Sequence, residues 1–324
     1  MQKSVLGVDL GGTKILIGEM NTENQLLNYR RFPSDVSTQE NAIRLIKKCI
    51  RIYLKEEELM GIISEISVAV VGRVDPDKGT WFEIHPGNSQ KINLKRELQE
   101  EFNIPVTVTN DVTAAAEAER KYGIGRGVEN FVYLNVGTGI AGRVISGGKF
   151  VSGGNFNAGE VGHTVVSMGE APICSCGRKG CIEAFASGLG MSNEAHRLKE
   201  RYPTRMTIHD GERVSVDMLI SAYEQGDSLA KVVVERAASG LAELIMNLVR
   251  VSDPEAVIVG GGVIGNDRFF QLVNERLKPK TMRFVVYQLQ QTKMDTNFIT
   301  LKGCGSLGIE ALQERWKTIE QGAV

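Results

Sequence analysis

Residues 8–18 read Val8-Asp9-Leu10-Gly11-Gly12-Thr13-Lys14-Ile15-Leu16-Ile17-Gly18, and residues 134–146 read LNVGTGIAGRVIS. Each is an apolar run that ends in a glycine turn with a threonine and then enters a second apolar run. Short runs of Val, Ile and Leu bounded by glycine predict strands, so each stretch predicts a β-hairpin. Two such hairpins roughly 125 residues apart suggest two related lobes facing each other, with the ligand in the cleft between them. The glycines let backbone N–H groups turn toward an anion with no side chain in the way. Gly11, Gly12, Thr13 and Lys14 form one expected phosphate cradle, and Gly137, Thr138 and Gly139 the other. A ligand-free hairpin turn reads the same locally; the matched pair is what points to a nucleotide. Asp9, at a strand end beside the first cradle, is an expected partner of Mg2+, directly or through water.

The motif is neither G-x4-G-K-[ST] nor a dinucleotide fingerprint, because the first glycine turn enters a strand and not a helix. A third cluster, Gly260-Gly261-Gly262, follows an apolar run at 256–259. It is expected either to approach a flat adenosine or to serve only as a strand-to-helix turn.

Outward from these turns, strand patterns fall at 5–10, 15–20, 66–71, 106–109, 131–136, 143–145 and 257–259. Helical periods fall at 38–55, 94–102, 111–122, 183–200, 216–223, 228–251, 268–277 and 306–317. The alternation predicts an α/β protein. The chain has 324 residues, enough for two domains or one large one. Its 38 basic and 39 acidic residues nearly cancel, so nothing in the charge points to nucleic acid. No apolar run approaches the ~20 residues of a membrane span, and the N-terminal pattern is not that of a signal peptide. Five cysteines fit a reduced, cytoplasmic setting with one metal site better than a disulfide framework. Cys49 lies on the apolar face of a helical pattern and Cys304 between glycines.

From Gly159 the chain reads GEVGH, and ten residues later CSCGRKGCIE. Cys174, Cys176 and Cys181, with His163, make a Cys3His set suited to a closed tetrahedral zinc. The alternatives are buried apolar cysteines or reactive thiols; the interleaved Gly177, Arg178, Lys179 and Gly180 argue against a core. Glu160 and Glu183 flank the set and offer acceptors to a hydroxyl-rich ligand. Asn110-Asp111 follows the strand at 106–109 and opens a helix. An Asx residue there is an ordinary N-cap. The helix N-terminus also favours an ionised carboxylate, which could take a proton from a substrate hydroxyl, and phosphoryl transfer asks for little else beyond positioning and Mg2+.

Together these residues resemble the ROK family of sugar kinases and related repressors, over nearly the whole chain. The resemblance rests on DLGGTK at 9–14, ND at 110–111, GTGI at 137–140, GE-x-GH at 159–163, C-x-C-G-x2-G-C-x-E at 174–183 and GGG at 260–262. It implies a two-lobed actin-like ATPase (ribonuclease H-like) fold with a structural zinc loop. The small lobe would hold residues 1–112 plus about 304–324, and the large lobe 113–303. It implies ATP-dependent phosphorylation of a hexose such as glucose at the 6-hydroxyl, with Asp111 as general base. Asn110, Glu160, His163, Glu183 and Asn88 would contact the sugar, and His163 would bind sugar with one ring nitrogen and zinc with the other. Gly11, Gly12, Thr13, Lys14, Gly137, Thr138, Gly139, Gly260, Gly261 and Gly262 would serve ATP. The cofactors would be ATP, Mg2+ and Zn2+, and the assembly a homodimer or homotetramer.

The chain departs from the family pattern at Thr113, at Ala141-Gly142-Arg143, at Gly72-Arg73 and at Pro86-Gly87-Asn88. These departures leave the sugar open among glucose, N-acetylhexosamines, fructose, allose and β-glucosides. Arg73 and Arg143 are either surface arginines or a sign of an anionic substrate. The alternative function is a catalytically silent sugar sensor. A DNA-binding repressor is disfavoured, since the first hairpin begins within ten residues of Met1 and the charge gives no footprint for DNA.

Overall fold

Gly11 to Thr13 turn the chain back on itself, and the Gly11 N–H donates to the Lys14 carbonyl at 2.9 Å. In a computed structural model, which describes residues 2–84, 89–167 and 169–322 (319–322 by backbone alone), this turn joins β1 (Lys3–Leu10) to β2 (Lys14–Asn21). The chain divides into two compact units. The first comprises Met1–Gly123, Ser152–Asn157 and Asn297–Val324, and the second Ile124–Val151 and Ala158–Thr296.

In the first unit, β3 (Leu26–Pro33), β4 (Ile62–Val70) and β8 (Val106–Asn110) complete a five-stranded sheet ordered β3-β2-β1-β4-β8. β1 pairs antiparallel with β2 and parallel with β4. β1 is buried along nearly its whole length, the mark of a central strand covered on both faces. Helix α1 (Gln39–Glu56) starts at Thr38, whose side chain accepts the Asn41 N–H. It packs Ala42, Ile43, Ile46, Cys49, Ile50 and Tyr53 inward at helical spacing, so Cys49 is core as expected. A second, three-stranded sheet joins β5 (Arg73–Asp75), β6 (Thr80–Glu83) and β7 (Ile92–Asn93), followed by α2 (Leu94–Phe102). Phe156, from 152–157, stacks on Phe82 of β6 with ring centroids 6.4 Å apart.

The helices α3 (Asp111–Tyr122) and α10 (Ile299–Gly322) cross almost in backbone contact. A Cβ on Gly303 would lie 1.7 Å from the Ala114 carbonyl oxygen. This packing corrects two expectations. The boundary placed at 112/113 would cut α3, yet the whole helix stays with the first unit because α10 holds it there. The last helix begins at Ile299 and not at 306, because Gly303 and Gly305 serve close approach inside a helix and do not precede it.

In the second unit, β9 (Phe131–Val136), β10 (Ile140–Ser146), β11 (Lys149–Phe150), β12 (Ala256–Gly260) and β13 (Leu289–Gln291) form a sheet ordered β11-β10-β9-β12-β13. β9 pairs antiparallel with β10 and parallel with β12. The sequence of pairings repeats that of the first sheet, so the hairpin likeness read from sequence is a likeness of whole sheets. The expected helix at 183–200 is two helices, α4 (Glu183–Ala186) and α5 (Gly188–Leu198). Ser187 breaks it: its hydroxyl caps α5 by accepting the Gly190 N–H at 2.9 Å. Then come α6 (Val216–Glu224), α7 (Ser228–Ser252), α8 (Asp267–Asn274) and α9 (Pro279–Met282). α7 is capped by Asp227 and buries Leu229, Val233, Ala237, Leu241, Leu244 and Ile245 along one stripe. Each large apolar side chain so buried contributes roughly 1.5–3 kcal/mol. Among the described residues, no helix is long and apolar enough to cross a membrane.

Candidate active site

In the first unit, Asp9 near the end of β1 and Asp111 at the start of α3 are close enough to repel. Burial, with Asp111 as the second cause and against the pull of Lys14, raises the Asp9 carboxyl to about 7. A crowded pair of carboxylates that resists ionisation is an environment a divalent cation relieves, so the donor set fits Mg2+ at Asp9. Beneath it the buried Cys304 thiol is held protonated by desolvation, and Asp9 adds to the effect. The first glycine turn is held by Ser34, whose hydroxyl donates to the Gly11 carbonyl at 2.7 Å. A Cβ on Gly12 would meet nothing within 4 Å, so one face of the turn is open. Lys14 Nζ reaches Asn297 Oδ1 at 3.4 Å.

The residue that caps α3 is Asn110. Its Oδ1 accepts the N–H groups of Val112 at 2.9 Å and Thr113 at 3.1 Å. Its Nδ2 donates to the Gly72 carbonyl at 2.8 Å, tying the end of β4 to the start of α3. Asp111 is the first helical residue, and its Oδ1 shares the Val112 N–H at 2.9 Å. Asn110 by itself accepts both cap N–H groups, and Asp111 adds a second acceptor for Val112 in the first helical turn. Asn88 lies outside the described residues.

In the second unit, the Gly137–Gly139 turn rests on α5. The N–H of Gly188 donates to the Gly137 carbonyl at 2.8 Å, and that of Leu189 to the Thr138 carbonyl at 3.3 Å. Glu183 Oε2 accepts the Ile140 N–H at 2.8 Å, so one carboxylate oxygen holds the turn. The third glycine cluster divides. A Cβ on Gly260 would lie 2.7 Å from the Tyr133 hydroxyl, and one on Gly261 would lie 2.6 Å from the Val136 carbonyl. Packing accounts for both, and only Gly262 faces open space.

The GEVGH segment forms a short 3-10 turn, Val161–His163, against β10. Gly162 lies so close to the Ile140 carbonyl that a Cβ would sit at 2.2 Å, with Glu183 Cβ at 3.2 Å. A larger residue there would push the turn off β10 and away from Glu183. The two His163 ring nitrogens face different partners. Nδ1 lies 3.3 Å from Cys174 Sγ, and Nε2 lies 4.0 Å from a Glu160 oxygen.

His163, Cys174, Cys176 and Cys181 place their four ligand atoms within 4.8 Å of one another. Cys176 and Cys181 Sγ atoms are 3.6 Å apart. That is far beyond a disulfide of about 2.05 Å. It is near the edge of about 3.8 Å that zinc–sulfur bonds of about 2.3 Å give in a tetrahedron. The scaffold is a tight knuckle in which the Cys174 N–H donates to the Arg178 carbonyl at 2.8 Å and the Gly177 N–H to the Cys174 carbonyl at 2.9 Å. Burial, together with the adjoining thiols, pushes the Cys181 thiol up to about 12, whereas the Arg178 N–H draws the exposed Cys176 thiol down. Three crowded thiols and an imidazole suit Zn2+, which takes thiolates. Arg178, read from sequence only as evidence against burial, donates to the His163 carbonyl at 3.2 Å. Ser34 and Gly72 were not singled out for these contacts, because nothing local marks a contact made across the fold.

A model of the ROK family matches residues 5–302. A glucokinase of Halalkalibacterium halodurans is 29% identical over 303 residues, covering 90% of this chain and 88% of that protein. An N-acetylmannosamine kinase of Escherichia fergusonii is 29% identical over 288 residues, 87% of this chain and 91% of that protein. The crystal structure of a ROK family glucokinase from Streptomyces griseus in complex with glucose and AMPPNP superposes with a TM-score of 0.74 at 26% identity, covering 95% of this chain and 99% of that one. The family match takes in both glycine hairpins, the Asn110-Asp111 corner and the Cys3His knuckle, and the chain belongs to the ROK family.

Proposed function

We propose that this protein is an ATP-dependent carbohydrate kinase that transfers the γ-phosphoryl group of MgATP to a hexose, at the 6-hydroxyl of glucose or a related sugar. The observation that carries the reading is the division of labour at the head of α3, where Asn110 completes the cap and Asp111 is not needed for it. Asp111 accepts the hydroxyl proton as the sugar oxygen bonds to the γ-phosphorus and the bond to ADP breaks. A positioned base of this kind is typically worth ~10²–10⁴ in rate. Asp9 would hold Mg2+, which spreads phosphate charge when bound. Gly11, Gly12, Thr13 and Lys14 of the first unit, and Gly137, Thr138 and Gly139 of the second, serve the phosphates. Gly262, where a Cβ would meet nothing within 4 Å, is the member of its cluster assigned to the adenosine. Zn2+ on the three cysteines and His163 Nδ1 would leave the ring proton on Nε2, which can donate to a sugar hydroxyl. Asn110, Glu160 and Glu183 hold other hydroxyls.

Two relatives of equal identity carry the names of different sugars, so the substrate is to be found by trial. The test is ADP release from MgATP across hexoses, N-acetylhexosamines, fructose, allose and β-glucosides. One sugar with clear saturable turnover supports the kinase and names its substrate. Sugar binding without turnover would replace it with a silent sensor, and neither binding nor turnover would refute both.

A further inference from the structure

Arg143 on β10 is 8% exposed. A buried guanidinium is unfavourable unless its donors are engaged. Its Nη1 donates to the Gly142 carbonyl at 2.7 Å and to the Ala158 carbonyl at 3.1 Å. The neighbouring Gly142 N–H donates to the Gly159 carbonyl at 2.8 Å. Two consecutive residues of β10 thus hold Ala158 and Gly159, the residue before GEVGH and its first residue. Gly159 has φ +107, and a Cβ there would lie 2.2 Å from Arg143 Nη1. The Gly142 carbonyl oxygen, at 2.1 Å, and the guanidinium together occupy the space that any side chain at 159 would need. The next residue is Glu160, whose carbonyl accepts the His163 N–H at 3.2 Å.

We propose that Arg143 is a positioning residue for sugar binding: it pins Ala158–Gly159 to β10 and so sets the direction in which Glu160 and His163 leave the chain. This rests on the reading of Glu160 and His163 as sugar contacts. It also gives Arg143 a role that is neither a surface arginine nor a direct contact to an anionic substrate.

The test uses the full chain with Arg143→Met, which keeps length without the donors, and Arg143→Lys, which keeps a charge and a donor. The readouts are KM for sugar and for MgATP, zinc content, and amide hydrogen exchange. Removing an outer partner that orients a metal-binding group typically costs about 10–100-fold, and a loss of the same order is expected for the sugar contacts here. The expected result for Arg143→Met is a rise in sugar KM of about tenfold or more with the MgATP KM unchanged. Zinc is retained, and exchange quickens at 159–164 but not in α7. Arg143→Lys falls between that variant and wild type. An unchanged sugar KM, or equal losses for sugar and MgATP with exchange raised throughout the second unit, would overturn the proposal. If wild type turns over no sugar, the kinase reading fails on its own. Sugar binding by calorimetry and exchange at 159–164 then still decide the role of Arg143.

Discussion

Replacing Asp9 with Asn should stabilise the protein at neutral and alkaline pH while impairing its chemistry. The Asp9 carboxyl moves from an ordinary 3.8 to about 7 on folding, first through burial and then through Asp111. At about 1.4 kcal/mol for each tenfold change in proton affinity, holding that carboxylate ionised costs about 4 kcal/mol. The side chain keeps some solvent contact, so this is an upper figure. The folded pKa is raised, so as pH rises the unfolded chain releases the proton first. Stability therefore falls from about pH 4 to about pH 7, and the full cost persists above. Asn keeps the shape and has no such titration. Urea unfolding of both proteins in Mg2+-free buffer should show a gap favouring Asp9→Asn that widens by about 2–3 kcal/mol between pH 5 and pH 8. MgATP should narrow it by stabilising wild type alone. A gap that does not change with pH, or a less stable Asn variant at pH 8, would refute the reasoning.

Other consequences are as direct. Wild type should carry stoichiometric zinc by metal analysis, and Cys181→Ser should lose it and become open to proteolysis at 172–181; a metal-free wild type would remove the zinc account. Gly303→Val should destabilise the first unit by about 1–3 kcal/mol or more, because its Cβ would meet the Ala114 carbonyl oxygen; a normal melting temperature would show that α10 and α3 do not cross as described. Arg120 Nε lies 2.6 Å from Glu117, whose side chain is 0% exposed. Arg120→Ala should therefore cost about 3 kcal/mol, mostly regained on adding Glu117→Gln, with denaturant midpoints as the measure.

The hairpins were legible because their information is local: apolar runs, a glycine turn, and a repeat of both. The Cys3His knuckle was legible for the same reason, since spacing and chemistry lie within one segment and its scaffold bonds are short-range. β3 was not read as a strand. It is an edge strand that alternates exposed Leu27, Tyr29 and Arg31 with half-buried Asn28, Arg30 and Phe32, so it lacks the unbroken apolar run that marked β1. Gly303 and Gly305 suggested a helix start, whereas close approach requires them: Gly303 meets Ala114 of α3, nearly 200 positions earlier, and Gly305 meets Met20 of β2 and Asn24. The corner at 110–111 lay between. Sequence placed an Asx pair at a helix start, but only the coordinates assign capping to Asn110. Likewise Gly260-Gly261-Gly262 read as one unit until Tyr133 and Val136 accounted for its first two members.

The most direct test of the account is Asp111→Asn, assayed with the best sugar from the panel for turnover and, separately, for sugar affinity by calorimetry. The account predicts that kcat falls by at least ~10²–10⁴, the range for a lost general base, while the sugar Kd stays near that of wild type. A kcat close to wild type would contradict it and leave Asp111 as no more than the first residue of α3.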